Sequence, residues 1–134
     1  MKLSSKTITS IKMFIDLAEH YEEGFISLKD IAQRKDISKK FLEQIVPIFK
    51  NNGLLLCNRG NQGGYMLAKS PAQISLREII YLMESFLPKE TTNFIPLDEV
   101  LSDVDDMLNK YFSNISLADL VEKQKETYIN NYSI

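Results

Sequence analysis

Lysine, glutamate and glutamine side chains recur at helical spacing within residues 38–51, where they could form hydrogen bonds to nucleic acid. A lysine can donate to phosphate or to guanine, a glutamate can accept from the amino group of cytosine, and a glutamine can pair with adenine. These side chains lie off an apolar stripe on the same helix, so they are expected to face outward. A solvated helix face would carry similar residues, and the neighbouring elements therefore decide the interpretation. The four residues are Lys39, Lys40, Glu43 and Gln44.

The helix that carries these side chains is the second of two short helices. Ser27 can cap the first helix and Ser38 can cap the second, because a serine oxygen can accept a hydrogen bond from a free backbone N–H of the first turn. Only Asp36 and Ile37 lie between the helices, so the helices must cross steeply. Asp36 stands where many such motifs have glycine, but aspartate tolerates left-handed backbone. Residues 28–51 are therefore predicted to form a helix-turn-helix, which presents its second helix to the major groove.

A glycine-rich hairpin follows the two helices directly. Residues 54–58 form a short apolar run, and the chain then turns and returns. Gly60, Gly63 and Gly64 give the turn a bare backbone that can approach a surface closely. Arg59 at the base of the turn could enter a narrow minor groove, where the potential is most negative. Residues 54–67 are therefore predicted to form the wing of a winged helix-turn-helix.

The same stretch resembles the signature of the IscR/NsrR/CymR-type bacterial transcription regulators. The resemblance covers nearly the whole chain, in matching order. It implies a mainly α (α+β) fold, a winged helix-turn-helix with a long C-terminal dimerisation helix. The matching pieces are Met1-Lys2-Leu3-Ser4-Ser5-Lys6, Phe41-Leu42-Glu43-Gln44, Asn52-Gly53-Leu54, Arg59-Gly60, Gly63-Gly64-Tyr65 and Ile115-Ser116-Leu117-Ala118-Asp119-Leu120.

The resemblance also implies which residues would contact double-stranded DNA. In the family the opening residues pack near the DNA backbone, which makes Ser4, Ser5 and Lys6 candidates for phosphate contacts. The predicted function is that of a dimeric repressor that binds a pseudo-palindromic operator. The residues predicted to contact DNA are Ser5, Lys6, Ser38, Lys39, Lys40, Glu43, Gln44, Arg59, Gly60, Gly63, Gly64 and Tyr65.

Apolar residues near the C-terminus recur with alternating gaps of four and three residues, which predicts a heptad seam on one long helix. A helix packed onto its own domain would show the same pattern. We favour a two-fold dimer contact, because DNA readers of this kind usually bind paired half-sites as symmetric dimers. The predicted organisation is a DNA-binding region at 1–84, a loop at 85–96, and a dimerisation helix plus C-terminal helix at 97–134, all in one compact domain. The seam residues are Leu97, Leu101, Val104, Leu108, Tyr111 and Ile115.

The number and position of the cysteines indicate how such a regulator would be controlled. Several family members carry an iron–sulfur cluster on three cysteines in the loop that corresponds to residues 85–96, and this loop has none. Thiolates are the usual anchors of such clusters, so we expect no cluster, metal or other cofactor. Cys57, the single cysteine, is expected to be a small buried hydrophobe, with a redox switch in the wing as the alternative. Control by a partner protein, a small metabolite or a redox signal remains open.

Composition is that of an ordinary globular protein of 134 residues, a normal size for one domain. The absence of a secretory signal or a long apolar run leads us to expect a cytoplasmic protein that does not engage membranes. The net charge of −2 is divided unevenly: residues 1–70 hold 11 Lys+Arg against 7 Asp+Glu, and residues 71–134 hold 5 against 11. A basic N-terminal half and an acidic C-terminal half are compatible with a protein that binds phosphate through its first half.

Two other classes of function are alternatives to a DNA-binding regulator. A winged-helix module that docks to proteins and no longer binds DNA would also fit the mild charge of the front half. An enzyme is not expected, because the sequence shows no Ser–His–Asp set, no phosphate loop and no metal-binding spacing.

Overall fold

The computed structural model describes residues 2–84 and 91–132. Within these residues the fold is mainly helical with one antiparallel pair of strands, which confirms the predicted fold class. No helix in these two segments has both the length and the apolar character needed to cross a bilayer. The elements are α1 (Ser5–Glu19), α2 (Leu28–Lys35), α3 (Lys39–Asn51), β1 (Leu55–Asn58), β2 (Gly64–Leu67), α4 (Leu76–Met83), α5 (Ile95–Ser113) and α6 (Leu117–Tyr132).

The turn between α2 and α3 has the predicted local structure. The Oγ of Ser27 accepts a hydrogen bond from the backbone N–H of Asp30 at 3.1 Å, and the Oγ of Ser38 accepts one from Phe41 at 3.2 Å. Asp36 adopts a left-handed backbone with φ 53° and ψ 55°. These short-range interactions fix where each helix begins and ends, and they confirm the predicted helix–turn–helix order.

The hydrophobic core lies where α1 and α3 pack against the wing strands and α4. Phe14 of α1 meets Phe49 of α3 edge to face, with ring centroids 4.8 Å apart. Burying an aromatic or leucine side chain of this kind contributes about 1.5–3 kcal/mol each. Because one face of α3 is committed to this core, its polar face must point outward. The buried side chains of the two helices are Met13, Phe14, Leu17, Leu42, Ile45, Val46 and Phe49.

The wing is joined to the rest of the protein by a third extended segment. Strands β1 and β2 pair antiparallel, with Cys57 opposite Tyr65. Ile26, just before α2, forms a bridge to Tyr65, and each residue donates its backbone N–H to the carbonyl of the other at 2.8 Å. This bridge holds the wing base next to the start of α2.

The starts of α1 and α5 are each set by a local signal. Helix α1 begins at Ser5, because the Oγ of Ser4 accepts a hydrogen bond from the N–H of Thr7. Helix α5 begins inside the predicted loop 85–96, because Pro96 occupies its first turn, where proline is favourable. Residues 85–90 of that loop and residues 133–134 of the predicted C-terminal region lie outside the described residues.

The predicted heptad seam is shorter than expected at its C-terminal end. Helix α5 ends at Ser113, so Ile115 does not lie on the long helix. Its backbone carbonyl accepts a hydrogen bond from the N–H of Leu76 at 2.8 Å, which joins the turn after α5 to the start of α4. The first five residues of the set do lie on α5, and they are called the α5 seam below: Leu97, Leu101, Val104, Leu108 and Tyr111.

An ion pair between a buried aspartate and a partly exposed arginine connects α1 to α2. The carboxylate of Asp16 is fully buried, and it accepts hydrogen bonds from Nε of Arg34 at 2.9 Å and from Nη2 of Arg34 at 2.8 Å. This two-point contact raises the pKa of the Arg34 guanidinium above its ordinary value. The pair therefore fixes the first helix of the DNA motif against α1.

Removing one partner of this pair should be costly for folding. We expect Arg34→Ala to lower the free energy of unfolding by about 3 kcal/mol, because it leaves a buried carboxylate without a counter-charge. Urea denaturation would measure the change. Lys35→Ala is the matched control: it removes the pair between Lys35 and Glu19, 2.7 Å apart, on the same two helices, and should cost at most about 1 kcal/mol. Equal losses in the two variants would contradict the structural importance of the Asp16 pair.

Candidate nucleic-acid interface

The outward face of α3 carries the polar side chains predicted from the sequence. All four are exposed, whereas Leu42 and Ile45 on the opposite side are buried. Nζ of Lys39 lies 3.7 Å from Oε1 of Glu43, and both side chains are more than half exposed. Such an exposed pair contributes little stability, so Lys39 can leave it for another anion at small cost. The exposed residues are Lys39, Lys40, Glu43 and Gln44.

The base of the wing lies beside this face of α3. Burial raises the pKa of the Tyr65 phenol, the thiol of Cys57 and the charge of Glu43 raise it further, and the charge of Arg59 opposes the rise. Strand β1 packs against α3, and Arg59 follows the last residue of that strand. Arg59 itself is exposed. The fold thus brings together the α3 face and the wing arginine that the sequence treated as separate signals.

Cys57 has a more specific environment than the sequence suggested. It lies on β1 opposite Tyr65, and it is half-buried instead of fully buried. Burial is the main cause of the raised pKa of the Tyr65 phenol, and the neighbouring Cys57 thiol adds to it. Cys57 therefore affects the electrostatics of the wing base as well as its packing. The redox alternative for this thiol stays a prediction.

The wing glycines allow the backbone to approach other backbone within the protein. A Cβ on Gly64 would overlap the backbone carbonyl of Ile26, and a Cβ on Gly63 would lie 2.5 Å from the carbonyl oxygen of Asn58. Gly60 adopts φ +129°, a conformation that side chains disfavour. The sequence predicts that these glycines approach an external surface closely, and the structure shows that Gly63 and Gly64 are also needed to fold the wing. Their contact with DNA stays a prediction.

The start of α1 is held by a residue that the sequence reasoning missed. Ser5 and Lys6 are exposed in its first turn. Oε1 of Glu84, at the end of α4, accepts hydrogen bonds from the hydroxyl of Thr7 at 2.5 Å and from the N–H of Ser4 at 2.7 Å. These hydrogen bonds lower the pKa of the Glu84 carboxyl. No local signal could have revealed this contact, because its partners lie 77 and 80 residues away.

The chain offers a poor set of ligands for iron. It has one cysteine and one histidine in total. Across residues 2–84 and 91–132, no three side chains of His, Cys, Asp or Glu converge as a metal site would require. These residues do not fit an iron–sulfur cluster, which is normally held by several thiolates. The expectation that the protein works without a cluster stays a prediction.

Comparisons with known proteins agree with this geometry. The model of the Rrf2 family, described as an iron-dependent transcriptional regulator, matches residues 3–123. The HTH-type transcriptional regulator IscR of Photorhabdus laumondii is 30% identical over 134 aligned residues, which cover 93% of this chain and 82% of that protein. The structure of IscR from T. potens superposes with a TM-score of 0.79 and 33% identity, covering 95% of this chain and 90% of that one. The structure of CymR, the global cysteine regulator of B. subtilis, has a TM-score of 0.81 and 32% identity, covering 92% and 98%. The chain belongs to the Rrf2 family of transcriptional regulators.

Proposed function

We propose that this regulator is a dimeric repressor that binds a pseudo-palindromic DNA operator. The observation that carries the proposal is the packing of the wing strand β1, which ends just before Arg59, against α3, whose polar face is exposed. A helix can enter the major groove while a neighbouring loop reaches the minor groove beside it. Residues on one surface can then contact both grooves of a single half-site.

The proposed roles of the individual residues follow from their chemistry. Side chains with paired donors or acceptors read base edges, a guanidinium reads minor-groove width, and amines, hydroxyls and backbone N–H groups hold phosphates. We assign Tyr65 to support of the wing base as well as to the DNA surface. The base-reading set is Lys40, Glu43 and Gln44; the groove-reading residue is Arg59; the phosphate set is Ser5, Lys6, Ser38, Lys39 and the backbone of Gly60, Gly63 and Gly64.

Dimerisation through α5 is supported by the apolar surface of this helix. Of the twelve large hydrophobic side chains that are exposed among the described residues, eight lie between Phe94 and Tyr111. On the α5 seam, Leu97 and Leu101 are 42% exposed and Val104 is 44% exposed. A contiguous apolar surface of this kind is characteristic of an interface. A second copy of the helix would cover it and place two copies of α3 on the same side of a duplex.

We propose that the signal that controls this regulator does not act through a metal cofactor. The single cysteine of the sequence supports this, since it cannot by itself hold a cluster. The signal would then come from a regulatory protein, a small-molecule effector or a redox change at Cys57.

The role of Arg59 can be tested directly. We expect Arg59→Ala to lower operator affinity by about 10- to 100-fold, because it removes a cation from the minor groove. The melting temperature should not change, since Arg59 is exposed. The operator would first be selected from random duplex DNA, and affinity would then be measured by fluorescence anisotropy. Lys123→Ala, an exposed cation on α6, is the control. Unchanged binding by the Arg59 variant would refute the assigned role.

Salt dependence distinguishes DNA binding from a protein-docking function. A protein that neutralises several phosphates releases counterions, so its affinity should fall steeply and log-linearly as salt is raised. A winged-helix module that binds only proteins would show no saturable binding to any selected duplex at low ionic strength. That result would favour the alternative function.

A further inference from the structure

A pocket of about 210 Å³ lies between α4 and the segment that connects α3 to β1. Asn52 follows the last residue of α3, and Leu54 precedes the first residue of β1. The pocket therefore touches the end of the proposed recognition helix and the entry of the wing. Its lining residues are Asn52, Leu54, Arg77, Glu78, Tyr81 and Leu82.

Arg77 is the main cationic group of this pocket. Its guanidinium carbon lies 4.2 Å from the centroid of the Tyr81 ring, which holds the group in a cation–π contact. Its Nε donates a hydrogen bond to Oδ1 of Asn109 on α5. Within the described part of the chain, Arg77 forms no ion pair with a carboxylate. A half-buried guanidinium with unused N–H groups is well suited to bind a planar anion through two hydrogen bonds.

The local charge balance also favours an anion. Glu78 lines the pocket, but Nζ of Lys69 lies 2.9 Å from its Oε1 and neutralises it. Burial opposes ionisation of Glu78, whereas hydrogen bonds from Lys69 and Ser75 outweigh this effect and lower its pKa below the ordinary value. Counting only the lining residues and the ion-pair partner Lys69, Arg77 and Lys69 carry two positive charges and Glu78 carries one negative charge. A ligand with a single negative charge would balance these charges.

The other residues that line the pocket indicate the chemistry of the rest of the ligand. Leu54 and Leu82 provide apolar surface. The ring of Tyr81 carries the guanidinium of Arg77 on its face, whereas its phenolic oxygen is buried and not accessible to a ligand. These features together match a small molecule with a carboxylate at one end and a short apolar chain at the other.

We propose that this pocket binds a small apolar monocarboxylate, with its carboxylate on Arg77 and its chain on Leu54 and Leu82, and that binding changes affinity for DNA. The second part rests on the proposed function. Leu54 and Asn52 connect the pocket to α3 and the wing, and Arg77 connects it to α5 through Asn109. A ligand in this position contacts the junction between the DNA-binding elements and the proposed dimer helix. It can therefore favour one orientation of the DNA-binding elements relative to the proposed dimer helix over another.

Binding can be tested without DNA, using isovalerate as the probe and isovaleramide as a neutral molecule of the same shape. Each would be titrated into ¹⁵N-labelled and methyl-labelled protein at constant ionic strength. We expect isovalerate to shift the Arg77 Nε–H signal and the methyl signals of Leu54 and Leu82, with Kd on the order of 1 mM. Isovaleramide should bind at least about ten-fold more weakly, because it lacks the charge that Arg77 recognises.

Two substitutions locate the site. Arg77→Gln should lower isovalerate affinity at least about ten-fold, whereas Lys125→Gln, an equal charge change at an exposed position on α6, should not. Equal binding of acid and amide, or full binding by Arg77→Gln, would overturn the proposed site.

The effect on DNA is a separate measurement. At saturating isovalerate and constant ionic strength, operator Kd measured by anisotropy should change at least about five-fold, and the change should vanish in Arg77→Gln. An unchanged operator Kd at saturation would overturn the regulatory part of the proposal. Should the protein bind no selected duplex while acid binding still depends on Arg77, the proposed function would be contradicted and the carboxylate site supported.

Discussion

Substituting Leu101 by lysine is expected to make the protein a monomer and to weaken operator binding at least about 100-fold. Leu101 lies at the middle of the α5 seam, and a lysine there would bury a charge between two apolar surfaces on dimer formation. A monomer loses the benefit of a second, tethered DNA contact, which commonly contributes about 10²- to 10⁴-fold in affinity. Light scattering after gel filtration would give the mass, and fluorescence anisotropy would give the affinity.

A matched control isolates the effect of the α5 seam from that of charge. Glu99→Gln changes the net charge by the same amount at an exposed position about half a helical turn away from the seam. It should leave both the mass and the melting temperature unchanged. A Leu101→Lys variant that remains dimeric would contradict the proposed interface, and a monomeric variant with full operator affinity would contradict the need for two half-sites.

Gly64→Ala is expected to disrupt the wing and lower stability by about 3 kcal/mol, which corresponds to a melting temperature about 10 °C lower. The added Cβ would overlap the carbonyl of Ile26, which is backbone and cannot rotate away. Either the bridge between Ile26 and Tyr65 separates or β2 shifts in register. Thermal denaturation would measure the loss of stability, and anisotropy should show weaker operator binding in the same variant.

Asn61→Ala is the control for this prediction, because it changes an exposed residue of the same turn and adds no Cβ to a glycine. It should change stability by less than about 0.5 kcal/mol. A Gly64→Ala protein as stable as the parent would show that the contact with Ile26 is not the reason for glycine at this position.

Features that depend on nearby residues were predictable from the sequence. The caps Ser27 and Ser38 and the left-handed Asp36 act within a few residues of themselves, so their identity is enough to place the turn. Helical spacing likewise predicted which face of α3 is buried and hence that Glu43 and Gln44 are exposed. Contact of that face with DNA remains a prediction based on chemistry and family membership.

Features that depend on distant residues were not predictable. Nothing near Glu84 indicates that it accepts hydrogen bonds from Ser4 and Thr7, and nothing near Asp16 indicates a partner on the next helix. Apolar spacing alone predicted that the heptad seam extends to Ile115, because periodicity does not show where a helix ends. The pocket at Arg77 was likewise not predictable from nearby residues, since it forms only when α3, α4 and the wing strand meet.

The bridge between Ile26 and Tyr65 has a consequence for how any signal can act. Ser27, the cap of α2, follows Ile26 immediately, so the wing and the two helices of the helix-turn-helix share one covalent and hydrogen-bonded frame. We therefore expect the wing and these helices to move together. In the proposed dimer, an effector would then alter the separation between the two DNA-binding surfaces and leave the shape of each surface intact.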